Sequence, residues 1–201
     1  MTTSQSPVSS PEGHECEYLT LAFSPSSAPL RSRWRNNGLS ADFLGDYVTT
    51  FLPTEGDVGL LASRQKEIKH AVSYLANELL ENAMKYHQRD VSIPIRIHLE
   101  LTSHDITVSV SNGISVSQAQ IYQAFVAHLS DGNAEELLLK QQEENAMHGE
   151  AHVSALGLLT MISDYDAQLN WRFEAHPAHR ESMIVTTFAV LALNAVTGAS
   201  A

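Results

Sequence analysis

The chain has 201 residues and a formal net charge of −11, because 23 acidic residues outnumber 12 basic ones. This length suits one domain with a sizeable hydrophobic core. The acidic balance argues against nucleic acid and against anionic membranes as partners. The only cysteine, Cys16, excludes an internal disulfide. Since the first residues also lack the basic head of a secretion signal, we expect a cytoplasmic protein.

Apolar periodicity and turn residues predict the elements in chain order. A disordered tail over residues 1–15 is followed by a strand at 17–23. Asn36-Asn37-Gly38 then predicts a turn ahead of a helix at 41–51. The remaining elements are a long helix at 63–87, strands at 95–101 and 106–111, helices at 115–129, 134–145 and 154–162, and strands at 168–174 and 183–191. A frayed tail over 193–201 leaves one domain at 16–192.

This order of elements predicts the fold class. A strand, two helices, a hairpin, further helices and a second hairpin match an α/β (α+β) two-layer sandwich. We expect a mixed, largely antiparallel sheet that is covered on one face by helices.

One stretch of the long helix points to a specific chemistry. Glu78, Asn82 and Lys85 are spaced i, i+4 and i+7, so a helix presents them on one side, next to an apolar stripe. A carboxylate can orient or deprotonate water, an amide oxygen can bind Mg²⁺, and a lysine can contact phosphate. The alternative is a solvated stripe, with Glu81 and Lys85 as an i, i+4 ion pair.

The string Glu78-x-x-x-Asn82-Ala83-x-Lys85 resembles the N-box of the Bergerat-fold ATPase superfamily, which includes gyrases, sensor histidine kinases and anti-sigma serine kinases. The resemblance implies a Bergerat-like domain that binds ATP and Mg²⁺. It implies Asn82 as the metal ligand, Glu78 as the catalytic base and Lys85 as a phosphate contact. Tyr86, which follows directly, joins the expected cofactor-binding residues.

Two glycine motifs follow in the order that this resemblance requires. Ser111-Asn112-Gly113 stands where the family has Asp-x-Gly, with Ser111 in place of the adenine-binding aspartate and Ser115 in place of the second glycine. Gly157 stands where a glycine motif opens a phosphate-binding helix, with Ala155 in place of another glycine. The resemblance therefore implies Ser111, Gly113 and Gly157 as further cofactor contacts. The alternatives are a plain Asn-Gly turn at a strand end and the buried start of an apolar helix.

The segment at 159–165, with the following strand that contains Trp171, resembles a stand-alone bacterial subgroup related to SiaB-type and anti-sigma-factor kinases. The resemblance implies an ATP-binding serine/threonine kinase that acts on a separate small regulatory protein. The alternative is a non-catalytic sensor or docking module, whose pocket is empty or holds another adenine-containing cofactor such as a flavin nucleotide. Whether the chain forms a homodimer is left open.

Overall fold

The computed structural model describes residues 16–24, 30–52, 58–88, 93–131 and 156–193. Four helices lie in this part of the chain: α1 (Leu30–Thr49), α2 (Val58–Tyr86), α3 (Val116–Asp131) and α4 (Leu156–Tyr165). Its five strands are β1 (Glu17–Phe23), β2 (Ile95–Leu101), β3 (Asp105–Ser115), β4 (Gln168–Ala175) and β5 (Ser182–Ala192). The predicted helix at 134–145 and the predicted tail at 1–15 lie outside the described residues.

The strands form one five-stranded sheet in the order β1-β2-β3-β5-β4, and each of its four strand pairings is antiparallel. Helix α2 packs on β2 and β3, α3 packs on β3 and β5, and α1 packs on α2. The predicted α+β two-layer sandwich is therefore confirmed. None of the helices in the described ranges is long and apolar enough to cross a membrane.

The core lies between α2 and the sheet. Alternate residues of β2 point to the helices, as expected for a strand with one covered face, and the apolar stripe of α2 meets them. These side chains are at most 2% exposed: Ile95, Ile97, Leu99, Val72, Leu75 and Leu79. Burying each one stabilises the fold by about 1.5–3 kcal/mol, which holds α2 firmly against the sheet.

Helix α1 is longer than its sequence predicts. The predicted turn at 36–38 is wrong, because all three residues lie inside α1. Packing against α2 explains the difference, since burial of the apolar face of α1 outweighs the weak helix propensity of Asn and Gly. The contact is close: a Cβ at Gly45 would lie 2.8 Å from the carbonyl oxygen of Lys69 on α2. The buried residues of α1 include Ala41, Leu44 and Val48.

Strand β3 also continues beyond its predicted end. The alternative of an Asn-Gly turn is wrong, because Asn112 and Gly113 pair with Val185 and Ile184 of β5. The strand ends at Ser115, which caps α3. The backbone amide of Gln118 donates to Ser115 Oγ (3.2 Å), and the backbone amide of Ser115 donates to Gln118 Oε1 (3.0 Å). This reciprocal pair is a capping box and explains why the helix begins at Val116.

The last described residue, Leu193, belongs to the folded domain. Its side chain is only 9% exposed, and its backbone amide donates to the His104 carbonyl at 2.8 Å. Its own carbonyl accepts a hydrogen bond from the Arg64 guanidinium at 3.0 Å. The predicted tail over 193–201 therefore starts one residue too early, and its remainder lies outside the described residues.

Candidate functional site

One row of side chains on α2, spaced by four residues, faces α4. The hydroxyl of Tyr165 and Nδ1 of His70 share a hydrogen bond of 3.1 Å. The rings of Tyr74 and Tyr165 stack with their centroids 4.9 Å apart. Glu78 comes next along the row and lies against Gly157 in the first turn of α4. Helix α4 is therefore antiparallel to α2, with its N-terminal end beside the Glu78 carboxylate.

Glu78 and Gly157 fit together because position 157 has no side chain. A Cβ at Gly157 would overlap Glu78 Oε2 and would lie 2.9 Å from Glu78 Cδ. Burial raises the pKa of the Glu78 carboxyl, and repulsion from nearby Glu81 raises it further. A carboxylate with a raised pKa is a stronger proton acceptor, so this group suits a general base.

A small cavity lies on the other side of Asn82, which is one helical turn beyond Glu78. Its volume is about 30 Å³, and α2, β3, β5 and α3 form its walls. None of the described residues that line it is charged. Space of this size holds one or two water molecules. The polar residues in its walls are Asn82, Tyr86, Asn112, Tyr122 and Thr187.

Asn112 is the most informative of these residues. It is 5% exposed, and its side-chain Nδ2 has no hydrogen-bond partner among the described residues. A buried donor without a partner costs about 1–3 kcal/mol. Sequence reasoning missed Asn112, although the alternation of apolar residues along β3 carries the inward-facing positions on to it. The inward-facing positions before it are Ile106, Val108 and Val110.

Tyr122 of α3 fixes the opposite wall of the cavity. Its hydroxyl accepts a hydrogen bond from Trp171 Nε1 at 2.9 Å and lies 3.5 Å from Thr187 Oγ1. Burial raises the pKa of Tyr122, while these two hydrogen bonds lower it. The network ties α3 to β4 and β5. Tyr86, the last residue of α2, forms another part of the wall and is only half-buried.

Lys85 and Ser111 do not line this cavity. Lys85 is exposed at the end of α2, with Nζ 5.4 Å from the centroid of the Tyr86 ring. No salt bridge joins Lys85 to Glu81 in the part of the chain that the structure describes. Ser111 precedes Asn112 on β3 and therefore points to the opposite face of the sheet. Its cross-strand neighbours there are Arg96 and Thr186.

Gly113 contacts the chain that connects α2 and β2. Its carbonyl accepts a hydrogen bond from the Gln88 amide at 2.8 Å. A Cβ at this position would lie 2.7 Å from Ile93 Cδ1, so the buried Ile93 side chain requires a glycine or must move. Gly113 thus helps to set the path of the chain that leaves the end of α2.

Asn82 and Glu78 are the residues that would hold a magnesium ion at this site. Asn82 offers an amide oxygen and Glu78 a carboxylate one turn away. Mg²⁺ is usually held by one or two carboxylates together with substrate phosphates and water. In the described residues, no group of three or more His, Cys, Asp or Glu side chains is placed to hold a metal.

Comparison with known proteins gives a likeness in fold. No protein-family model matches the chain, and no curated protein sequence matches it. Among solved structures, it is similar to a chain of the crystal structure of the SiaB-SiaC complex from Pseudomonas aeruginosa. The TM-score is 0.52 at 15% sequence identity, over 86% of this chain and 89% of that one. At this identity the similarity shows the fold alone. The α+β sandwich described above has a counterpart in a protein of that two-protein complex.

Proposed function

We propose that the protein is a nucleotide-binding, partner-switching regulator with a Bergerat-like site and serine/threonine kinase activity toward a separate small protein. One observation carries the proposal. Three distant segments of the sequence meet along one turn of α2: the start of α4 lies against Glu78, and the inward-facing end of β3 shares a cavity with Asn82. These are the segments in which the sequence resembles the three nucleotide motifs of that superfamily.

Each polar group has a role in this proposal. Asn82 binds Mg²⁺ through its amide oxygen, and the first turn of α4 at Gly157 receives phosphate oxygens at its backbone amides. Glu78 orients and deprotonates the attacking hydroxyl, for which its raised pKa suits it. Bound Mg²⁺ supplies charge neutralisation at the phosphates. The exposed Lys85 ammonium gives a further phosphate contact. Gly113 and Ser111 contact the nucleotide through the backbone of β3.

The end of the site that receives the purine base opens by movement of a side chain. Ligand pockets usually measure about 300–1,000 Å³, whereas the cavity beside Asn112 measures about 30 Å³. A purine ring therefore enters only when a wall residue moves. Tyr86 is the residue for this movement, because it is half-buried at the end of a helix, whereas hydrogen bonds hold Tyr122 in place.

A small protein partner is the second half of the proposal. The similar structure contains a complex of two proteins, SiaB and SiaC. A domain of this size that combines a carboxylate base with a phosphate site suits transfer to a hydroxyl on another protein. We propose that the partner is a small regulatory protein that presents a serine or threonine.

A non-catalytic docking module is the second candidate. The observation that favours it is the small size of the cavity, together with the exposed position of Lys85. In that case the pocket holds no nucleotide, or it takes up another adenine-containing cofactor such as a flavin nucleotide. The absorbance spectrum of the purified protein separates these two versions, because only a bound flavin gives visible bands.

Calorimetric titration of the ligand-stripped protein tests the first proposal. We expect micromolar binding of ATP or GTP in the presence of Mg²⁺, and much weaker binding without it. Asn82→Ala should remove the Mg²⁺-dependent part and keep the melting temperature of the wild type, because Asn82 is half-buried and outside the core. The absence of binding for both nucleotides, in a protein that circular dichroism shows to be folded, would reject the proposal in favour of the docking module.

A further inference from the structure

The exposed side of α1 carries a row of apolar side chains, which we call the apolar ridge. Its residues are four positions apart, and three of them are exposed by 64%, 49% and 41%: Leu39, Phe43 and Phe51. The fourth, Tyr47, is half-buried and connects the row, since its ring centroid lies 6.1 Å from that of Phe43 and 5.1 Å from that of Phe51. Single exposed apolar side chains are common, whereas a contiguous row marks an interaction surface.

The charged residues of α1 are divided between its two halves. Its basic residues all stand in the first six positions, at 31, 33 and 35, and its acidic residues stand later, at 42 and 46. Positions 31, 35, 42 and 46 are separated by four, seven and four residues, so they fall on one side of a regular helix, next to the apolar ridge. Such a helix has charges that complement a copy of itself running in the opposite direction.

We propose that the apolar ridge is the contact surface of a homodimer, in which the α1 helices of two copies pack antiparallel about a twofold axis. A twofold axis places the same patch of both copies in contact, so the patch must complement itself. With the axis near the middle of α1, the basic half of each helix lies along the acidic half of the other. Parallel packing would instead bring like charges together. This surface lies outside the proposed nucleotide site, and the inference does not depend on that site.

The chemistry of the ridge suits this contact. Phe43 and Tyr47 supply large apolar areas, and arginine, which the basic half of the second copy brings to them, stacks on aromatic rings. Asp42 is exposed, and no salt bridge within the described part of the chain uses it. Asp46 pairs with Lys69, but both side chains are largely exposed, so this pair contributes little and can exchange partners.

Two further features bear on the strength of the dimer. Helix α1 is already packed along α2, so the ridge needs little ordering when a second copy binds. The net charge of −11 on each copy is screened beyond about 8 Å at physiological ionic strength, which leaves the charges at the contact to decide. One pair of helices is a small interface, so we expect a dissociation constant of about 1–100 µM.

Light scattering of the full chain tests the contact. The molar mass should rise from the 22.0 kDa of one chain toward twice that value as the concentration is raised to about 200 µM. Phe43→Glu should raise the dissociation constant by at least about 30-fold and keep the melting temperature, because the side chain is exposed. Ile121→Glu is the matched control: Ile121 of α3 is 69% exposed, and its dimer should form as in the wild type.

An exchange of charges tests the antiparallel arrangement. Asp42→Arg and Arg35→Asp each place like charges across the contact, so each variant alone should dimerise about tenfold more weakly than the wild type. A mixture of the two variants should form heterodimers with the affinity of the wild type, because every charge at these positions then faces its opposite. Sedimentation of the separate and mixed samples measures both results.

Three results would overturn the inference. The first is a wild type that keeps the mass of one chain at the highest concentration. Phe43→Glu would then lower the melting temperature if another part of the chain covers the ridge, and would leave it unchanged if the ridge serves a different protein. The second is a dimer that Phe43→Glu leaves intact, which would place the contact on another surface. The third is a mixture of the charge variants that associates no better than its components, which would reject the antiparallel pair.

Discussion

The two sides of α2 at Asn82 differ in their chemistry. Toward α4, the helix presents a charged group: the Glu78 carboxylate lies against Gly157 and has its pKa raised by burial. Toward the sheet, the described walls of the cavity carry no charge, and amides and hydroxyls provide their polarity. The first environment suits proton transfer and phosphate, and the second suits recognition of a neutral base. On this one helix, the group that suits the reaction and the groups that suit ligand selection lie only one turn apart.

The largest expected effect belongs to the charged side. Glu78→Gln keeps the shape of the side chain and removes the base. We expect Mg²⁺-dependent hydrolysis of the bound nucleoside triphosphate to phosphate to fall by a factor of about 10²–10⁴, with nucleotide affinity within about threefold of wild type. Phosphate release and calorimetry measure the two quantities. An equal loss of both would mean that Glu78 binds the nucleotide and does not act as the base.

Gly157→Ala tests the contact between α2 and α4. The new methyl group overlaps the Glu78 carboxylate, which is the flexible end of its side chain and can swing away. Since alanine also favours the helix by about 1 kcal/mol, the free energy of unfolding should change by less than about 1 kcal/mol. Hydrolysis should fall by about 10–100-fold because the base is displaced.

The Glu78→Gln background supplies the control for this variant. Gly157→Ala should cause little further loss there, because both changes act on the same group. Independent, multiplying losses in the double variant would show that Gly157 acts on the phosphate site and not through Glu78.

The sequence predicts those parts of the site in which the position of a residue follows from strand alternation or helix spacing nearby in the chain. The sequence predicts β1 and β2 with the bounds that the structure shows, because their side-chain alternation is local. The spacing of Glu78 and Asn82 likewise follows from the helix. A linear motif indicates Ser111, whereas strand alternation directs Asn112 to the helices.

The remaining features depend on tertiary contacts. The close fit of Glu78 and Gly157 joins residues 79 positions apart and appears only once α4 packs on α2. The helical state of 36–38 depends in the same way on the packing of α1 against α2. Neither contact leaves a periodic signal in the sequence, so pattern analysis could not find it.

On the neutral side, Asn112→Val should stabilise the protein. The replacement fills similar space and removes a buried donor without a partner, so we expect the free energy of unfolding to rise by about 1 kcal/mol. For a chain of this length, this raises the melting temperature by about 2–4 °C. A lower melting temperature would show that the Asn112 side chain is already satisfied in the ligand-free protein.

The smallest effect is a pH dependence of stability on the charged side. Because burial raises the folded-state pKa of Glu78 above its ordinary value of 4.5, its contribution to stability is complete below that pH. It is lost as the pH rises through the folded-state pKa. Glu78→Gln should therefore match the wild type in melting temperature at about pH 4 and exceed it at about pH 8. An equal difference at both pH values would exclude ionisation of Glu78 as its cause.

The most direct test of the nucleotide site is the side-chain NH₂ signal of Asn112 in ¹⁵N-correlated NMR spectra, assigned by its loss in Asn112→Asp. We predict that saturating Mg²⁺ with ATP or GTP shifts this signal and slows its exchange with water, because a base that enters the cavity then contacts the Asn112 side chain. The NH₂ signal of Asn170, exposed on the other face of the sheet, should not change. An unchanged Asn112 signal in a protein that calorimetry shows to be saturated would contradict the account, because the nucleotide would then bind elsewhere.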